Sequence, residues 1–170
     1  MGGRRTIRDF AIIVAGFVIA AVVVGPLALH WLTNQPDQRL VDLDVYRSGG
    51  QAVIHGVPVY GFMTQPPQLL PFTYPPFAVL LAVPLALISW TAAQWLWIAL
   101  IFVAMTVAVR YAFAALLRRS GRWAPLLVGV LVAACTYPMP LRDQIRFGQV
   151  DIFLVAMCVA DCAPGRTRWP

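Results

Sequence analysis

Lysine and glutamate are absent from this 170-residue chain: its thirteen basic residues are all arginine and its seven acidic residues all aspartate. Such one-sided usage points to a GC-rich genome rather than to a function. Charge of either sign is scarce as well, at 12% of residues, where soluble domains carry roughly a quarter. That excludes an ordinary soluble domain. Only three cysteines are present, Cys135, Cys158 and Cys162. They are odd in number and lack paired ligand spacing, so neither a disulfide framework nor a cysteine metal site is expected, and all three read as small buried hydrophobes. There is no internal repeat, low-complexity tract or soluble domain. The first apolar run has no small-residue cleavage site at a sensible distance and is too long for a signal h-region, so it reads as an uncleaved span.

What is abundant is apolar. Hydrophobic residues make up 60% of the chain and mean hydropathy is +0.73, which defines an all-α integral membrane protein. At about 20 residues per crossing, the length admits about four transmembrane helices. The net charge of +6 comes from arginine clusters flanking the apolar segments. The positive-inside rule accounts for these clusters, and no nucleic-acid partner is expected.

Phe10 to Leu32 is the first span, with Arg4, Arg5 and Arg8 holding its start in the cytoplasm. Residues 33 to 76 then form an outer loop. Within it, residues 40 to 54 partly fit an amphipathic helix lying in the interface, interrupted at Gly49 and Gly50. The proline-rich stretch from Pro58 to Pro76 is expected to run extended. Phe77 to Ile88, about a dozen apolar residues around Pro84, is too short for a span and reads as re-entrant or interfacial. Ala92 to Phe113 crosses inward to the Arg118, Arg119 and Arg122 cluster. Trp123 to Tyr137 returns outward, and Val150 to Val159 starts back toward Arg166 and Arg168. A second outer loop, Tyr137 to Asp151, therefore shares the face of the first. The tryptophans Trp31, Trp90, Trp95, Trp97 and Trp123 fit an interfacial belt, and His55 reads as a surface histidine.

The two outer loops combine aspartates and tyrosines with arginines and amides: Asp42, Asp44, Tyr46, Arg47 and Tyr74 in one, Arg142, Asp143, Gln144, Arg146 and Gln149 in the other. A carboxylate beside guanidinium donors at a lipid surface suits group transfer from a lipid-linked phosphate. The carboxylate takes the proton of an attacking hydroxyl while cations hold the departing phosphate. Read from spacing alone, the same charges also fit solvated loop residues that keep the loops out of the bilayer.

Several short motifs go further. Asp42-Leu43-Asp44-Val45-Tyr46, Gly49-Gly50-Gln51-Ala52, Gly56-Val57-Pro58-Val59-Tyr60, Phe72-Thr73-Tyr74-Pro75-Pro76-Phe77 and Phe147-Gly148-Gln149-Val150 resemble, in that order, the polyprenyl-phosphate-mannose-dependent mannosyltransferases of glycosyltransferase family 87. The resemblance runs over nearly the whole chain and implies a GT-C-like polytopic bundle. About four transmembrane helices plus juxtamembrane and re-entrant helices would form the N-terminal part of a longer enzyme, and this part alone is expected to be inactive.

The implied reaction transfers mannose, with inversion, from polyprenyl-phosphate-mannose to a mannoside or lipoglycan acceptor on the outer face of the plasma membrane. By the same resemblance Asp42 is the base and Asp44 a second candidate. Tyr46, Arg47, Tyr74, Arg142, Arg146 and Gln149 would contact substrate, with Arg142 or Arg146 neutralising the phosphate. No metal or other cofactor is implied. Where relatives often have asparagine after Gly-Gln-Val, this chain has Asp151. The other class the sequence admits is a non-catalytic membrane protein that binds or transports a lipid-linked phosphate carrier.

Overall fold

The computed structural model describes residues 2–33 and 40–163, the first four of them as backbone only. The arginines at 4, 5, 166 and 168, on which the cytoplasmic placement of both ends rests, thus lie outside the described side chains. Eight α-helices account for most of the described residues, and the only strand-like pairing among them is an isolated bridge between Met63 and Pro71. The chain is an all-α membrane protein.

Two helices are long and apolar enough to cross a bilayer: α1 (Gly2–Thr33), through its segment Thr6–Thr33, and α4 (Trp90–Ala112). On α1 Phe10, Phe17 and Val22 are exposed, Phe17 by 74%. A side chain of that kind is at home against lipid. A third crossing is available if a bent pair is counted as one, Ala114–Thr136 with Met139–Phe147, turned by 82° at the break. The first member of that pair contains α5 (Ala114–Ser120) and α6 (Ala124–Thr136), and the second is α7 (Met139–Phe147). Both α3 (Pro76–Ala86) and α8 (Asp151–Asp161) have 11 residues, or about 16 Å of helix, half of what the hydrocarbon core requires.

By contact the chain forms two compact units. One draws on Met1–Leu29, Leu100–Gln144 and Val150–Pro170, the other on His30–Ala99 and Ile145–Gln149. In the first, α1 and α6 cross at two glycines. A side chain at Gly16 would strike the backbone of Pro125, and one at Gly129 would strike the carbonyl of Gly16, the close approach that small residues allow between membrane helices. Also in this unit, buried Thr136 satisfies its hydroxyl on the Val132 carbonyl, 2.9 Å away.

In the second unit α2 (Val41–Ile54) packs on α3 over a core of Val45, Phe72 and Val79. Gly49 and Gly50, read from sequence as an interruption, lie inside an unbroken α2. A Cβ at Gly50 would sit 2.8 Å from the Ala82 carbonyl oxygen, and one at Gly49 2.9 Å from the Phe72 ring. The cost of glycine in a helix, about 1 kcal/mol, is offset here by the contact it permits. The proline-rich stretch is also more folded than an extended run. It makes a 3₁₀ turn at Val59–Gly61 and closes on itself through the Met63–Pro71 bridge before Pro76 opens α3 at its first position, where proline's missing N–H costs nothing.

Two further expectations change. The segment expected as a second outer loop is helical as α7, because Pro138 and Pro140 fall before and within its first turn, where proline is tolerated. Cys158 and Cys162 are exposed rather than buried, and only Cys135 is partly covered.

Candidate functional site

The site is built on the first two turns of α2. Leu40, which precedes the helix, is fully buried with φ 48 and ψ 39, a left-handed conformation that costs a leucine roughly 1–2 kcal/mol. It is held there by its own N–H, which donates to the Arg146 carbonyl at 2.7 Å. That bond ties the start of α2 to the Phe147-Gly148-Gln149 turn. Gly148, at φ +71, fits between Leu40, Leu43 and Trp97; a Cβ there would come 3.1 to 3.4 Å from all three. Trp97 donates its indole N–H to the Gly148 carbonyl at 2.7 Å. Two motifs about 100 residues apart in sequence are thus fastened together inside one unit.

At about 100° per residue, Asp42 and Asp44 project about 200° apart, onto opposite faces of α2. Asp42 shares its face with Tyr46 and Gly49. Tyr46 is buried, meets Tyr74 edge-to-face with ring centroids 5.0 Å apart and Trp97 at a tilt at 5.6 Å, and donates its hydroxyl to that of Tyr74 at 3.0 Å. Tyr60 closes the group by donating to the Tyr74 carbonyl at 3.0 Å. Arg146 is half-buried, its guanidinium over the rings of Trp31 (5.2 Å) and Phe147 (4.9 Å), and its buried Nε finds no acceptor. Gln149 is half-buried at the end of the same turn.

Asp44 shares the other face with Val41 and Arg47. This face opens into a cleft of about 240 Å³ whose remaining walls are Gln65, Pro66, Pro67, Gln68 and Trp90. Burial pushes the Asp44 carboxyl above its ordinary value, and the nearby Arg47 charge opposes that shift by a smaller amount. Arg47 is anchored by an Nη2 bond to the Ile88 carbonyl, 2.9 Å away.

Of the residues expected from sequence, Asp42, Tyr46, Tyr74, Arg146 and Gln149 belong to the unit in which the motifs meet, and Asp44 and Arg47 line the cleft in that same unit. Arg142 is exposed and belongs to the other unit. The sequence did not single out Gln65 and Gln68, and it assigned Trp90 and Trp97 to an interfacial belt. The signal for Trp97 was available in its spacing: seven residues, two helical turns, from Trp90 on one helix. Among the described residues no three His, Cys, Asp or Glu side chains gather closely enough to hold a metal ion.

In this all-α membrane chain, two aspartates and a buried tyrosine of α2 thus share one unit with Arg146. Residues 72–170 match glycosyltransferase family 87, and the chain belongs to that family. It is 35% identical over 162 residues to the polyprenol-phosphate-mannose-dependent alpha-(1-2)-phosphatidylinositol mannoside mannosyltransferase of Mycolicibacterium smegmatis, covering 87% of this chain and 37% of that protein. To the protein of the same name in Mycobacterium tuberculosis it is 30% identical over 168 residues, covering 91% and 39%. A polyprenol-phosphate-mannose-dependent alpha-(1-2)-phosphatidylinositol pentamannoside mannosyltransferase of M. smegmatis is 33% identical over 153 residues, 87% of this chain and 36% of that protein. The chain thus spans less than two-fifths of the length of these relatives. No solved structure matches it.

Proposed function

We propose that this chain carries the acceptor-activating part of a membrane mannosyltransferase that moves mannose from polyprenyl-phosphate-mannose to a hydroxyl of a mannoside or lipoglycan on the outer face of the membrane. The observation that carries this reading is the Leu40–Arg146 bond, which gathers the Asp42 turn, the Tyr46–Tyr74 pair and the Phe147-Gly148-Gln149 turn into one place.

In the proposed reaction Asp42 is the base. Its carboxylate accepts the proton of the acceptor hydroxyl as that oxygen attacks the anomeric carbon of mannose. The bond from that carbon to the phosphate oxygen breaks on the opposite side, its electron pair leaves on the phosphate, and the anomeric configuration inverts. Arg146 is the cation of this unit suited to the leaving phosphate. Its guanidinium lies over the Trp31 and Phe147 rings, and its buried Nε is a donor still to be used. A charge-assisted bond of that kind strengthens as charge develops on the phosphate.

The test is Asp42→Asn in membranes containing the complete enzyme, assayed with radiolabelled polyprenyl-phosphate-mannose. The amide keeps the size of the side chain but cannot take the proton, so transfer is expected to fall at least about 10²-fold with the protein still inserted. Undiminished transfer would remove Asp42 from the role.

A further inference from the structure

The cleft on the other face of α2 is left unused by that reaction, and its walls are too specific in kind for filler. An acidic side chain, an anchored arginine, two carboxamides and an indole surround about 240 Å³. That is below the roughly 300 Å³ at which pockets for drug-sized ligands begin, and it has the scale of one sugar ring rather than of a polyprenyl chain. Carboxamides and carboxylates bond the hydroxyls of a neutral polyol as paired donors and acceptors, and the face of an indole offers an apolar platform for the C–H side of a pyranose.

The wall is also braced by hydrogen bonds. Thr64, 3% exposed, clasps the base of the loop twice: its N–H donates to the Leu70 carbonyl at 3.0 Å, and its Oγ1 accepts from the Leu70 N–H at 2.9 Å. Leu69 is held at φ 50, a left-handed position that a leucine occupies only when its surroundings impose it. The two bonds close the Gln65-Pro66-Pro67-Gln68 loop at its base. On the opposite wall Arg47 is fixed by Ile88, while its buried Nε has no acceptor. This is a donor that a ligand hydroxyl would satisfy.

We propose that Asp44, Arg47, Gln65, Gln68 and Trp90 form a hexose-binding site that holds a non-reacting mannose residue of the acceptor. The proposed function enters in taking the hexose to be a mannose residue of the acceptor. A fixed polar cleft with one cation and one carboxylate is close to neutral, which suits a sugar and not a phosphate.

The experiment is saturation-transfer NMR on the detergent-solubilised complete protein with methyl α-mannoside as probe, which needs no turnover and so stands apart from the fate of Asp42. Binding is expected, with inorganic phosphate failing to compete. Gln65→Ala, at an exposed position with no structural role, is expected to weaken binding about 3- to 10-fold, as for one lost hydrogen bond. Trp90→Ala should abolish the signal, while Asp42→Asn on the other face should leave it intact. Absence of binding, displacement by phosphate, or a signal that survives both cleft variants would overturn the proposal. So would a signal lost only with Asp42→Asn. If Trp90→Ala fails to fold, Gln65→Ala decides alone.

Discussion

The two faces of α2 carry an aspartate each, two residues apart, in surroundings that differ in nearly every respect. On the Asp42 face the neighbours are aromatic and come from elements distant in sequence: Tyr46 is buried against Tyr74 and Trp97, and Trp97 is bonded to Gly148. On the Asp44 face the neighbours around open space are Arg47 of α2 itself, the carboxamides of a loop some 20 residues downstream and the Trp90 indole. The first face is where the pieces of the fold are locked together, and the second is where the fold leaves room. The difference teaches that proximity in sequence says little about shared chemistry on a helix, where two residues of separation mean nearly opposite directions.

Predictions follow from trying to break that contrast. The largest effect is expected on the locked face. Arg146→Gln removes the guanidinium held over Trp31 and Phe147, and losing the proposed charge-assisted bond to the phosphate is expected to cost about 10- to 10²-fold in mannosyl transfer. Arg142→Gln, at an exposed position in the other unit, should cost less. Equal losses in the two variants, measured as initial rates in membranes, would take away the special place given to Arg146.

An intermediate effect is expected where α2 meets α3. Gly50→Val forces side-chain atoms into the Ala82 carbonyl and should destabilise the protein by about 1–3 kcal/mol through overpacking. Gly56→Ala, with open space around it but a φ of +66, should cost only the smaller backbone penalty. Thermal unfolding in detergent would compare them, and an unaffected Gly50→Val would mean that the two helices are not packed as described.

The smallest effect concerns Asp44. Its carboxyl is raised above the ordinary value of 3.8 by burial, so the folded protein holds that proton more tightly than the unfolded chain does. The group therefore favours the folded state most fully at low pH, and stability declines as pH rises from about 3.8 through the raised value, then levels off. Asp44→Asn should remove this decline and leave the protein at least as stable at neutral pH. A variant less stable than the parent at pH 7 would mean that the Arg47 charge outweighs burial.

Much of this fold was legible in the sequence, for a plain reason. Spans are long and lipid-facing, so the apolar runs beginning at Phe10 and Ala92 find their helices in α1 and α4, within a few residues at every end but the first, where α1 starts eight residues before Phe10. The five motif segments carried the family. What was not legible depends on contacts between distant residues. Gly49 and Gly50 look like helix breakers until Phe72 and Ala82 are set against them. Helix α7 was hidden because two prolines and several charges resemble a loop unless one knows that the prolines fall at its start. Trp97 looks like any interfacial tryptophan until its N–H is found on Gly148. The cleft was illegible for the same reason, since Gln65 and Gln68 have no motif and acquire meaning only through the clasp at Thr64 that turns them toward Asp44.

The contrast between the two faces of α2 is tested most directly by steady-state kinetics of Asp42→Asn and Asp44→Asn side by side in the complete enzyme, with donor and acceptor varied separately. The expected result is a split. Asp42→Asn loses at least about 10²-fold in kcat, whereas Asp44→Asn keeps kcat within a few-fold and raises the KM for the mannoside acceptor about 3- to 10-fold, with the KM for the donor unchanged. The reverse pattern, with kcat lost at Asp44 and spared at Asp42, would contradict the account and move the chemistry to the cleft.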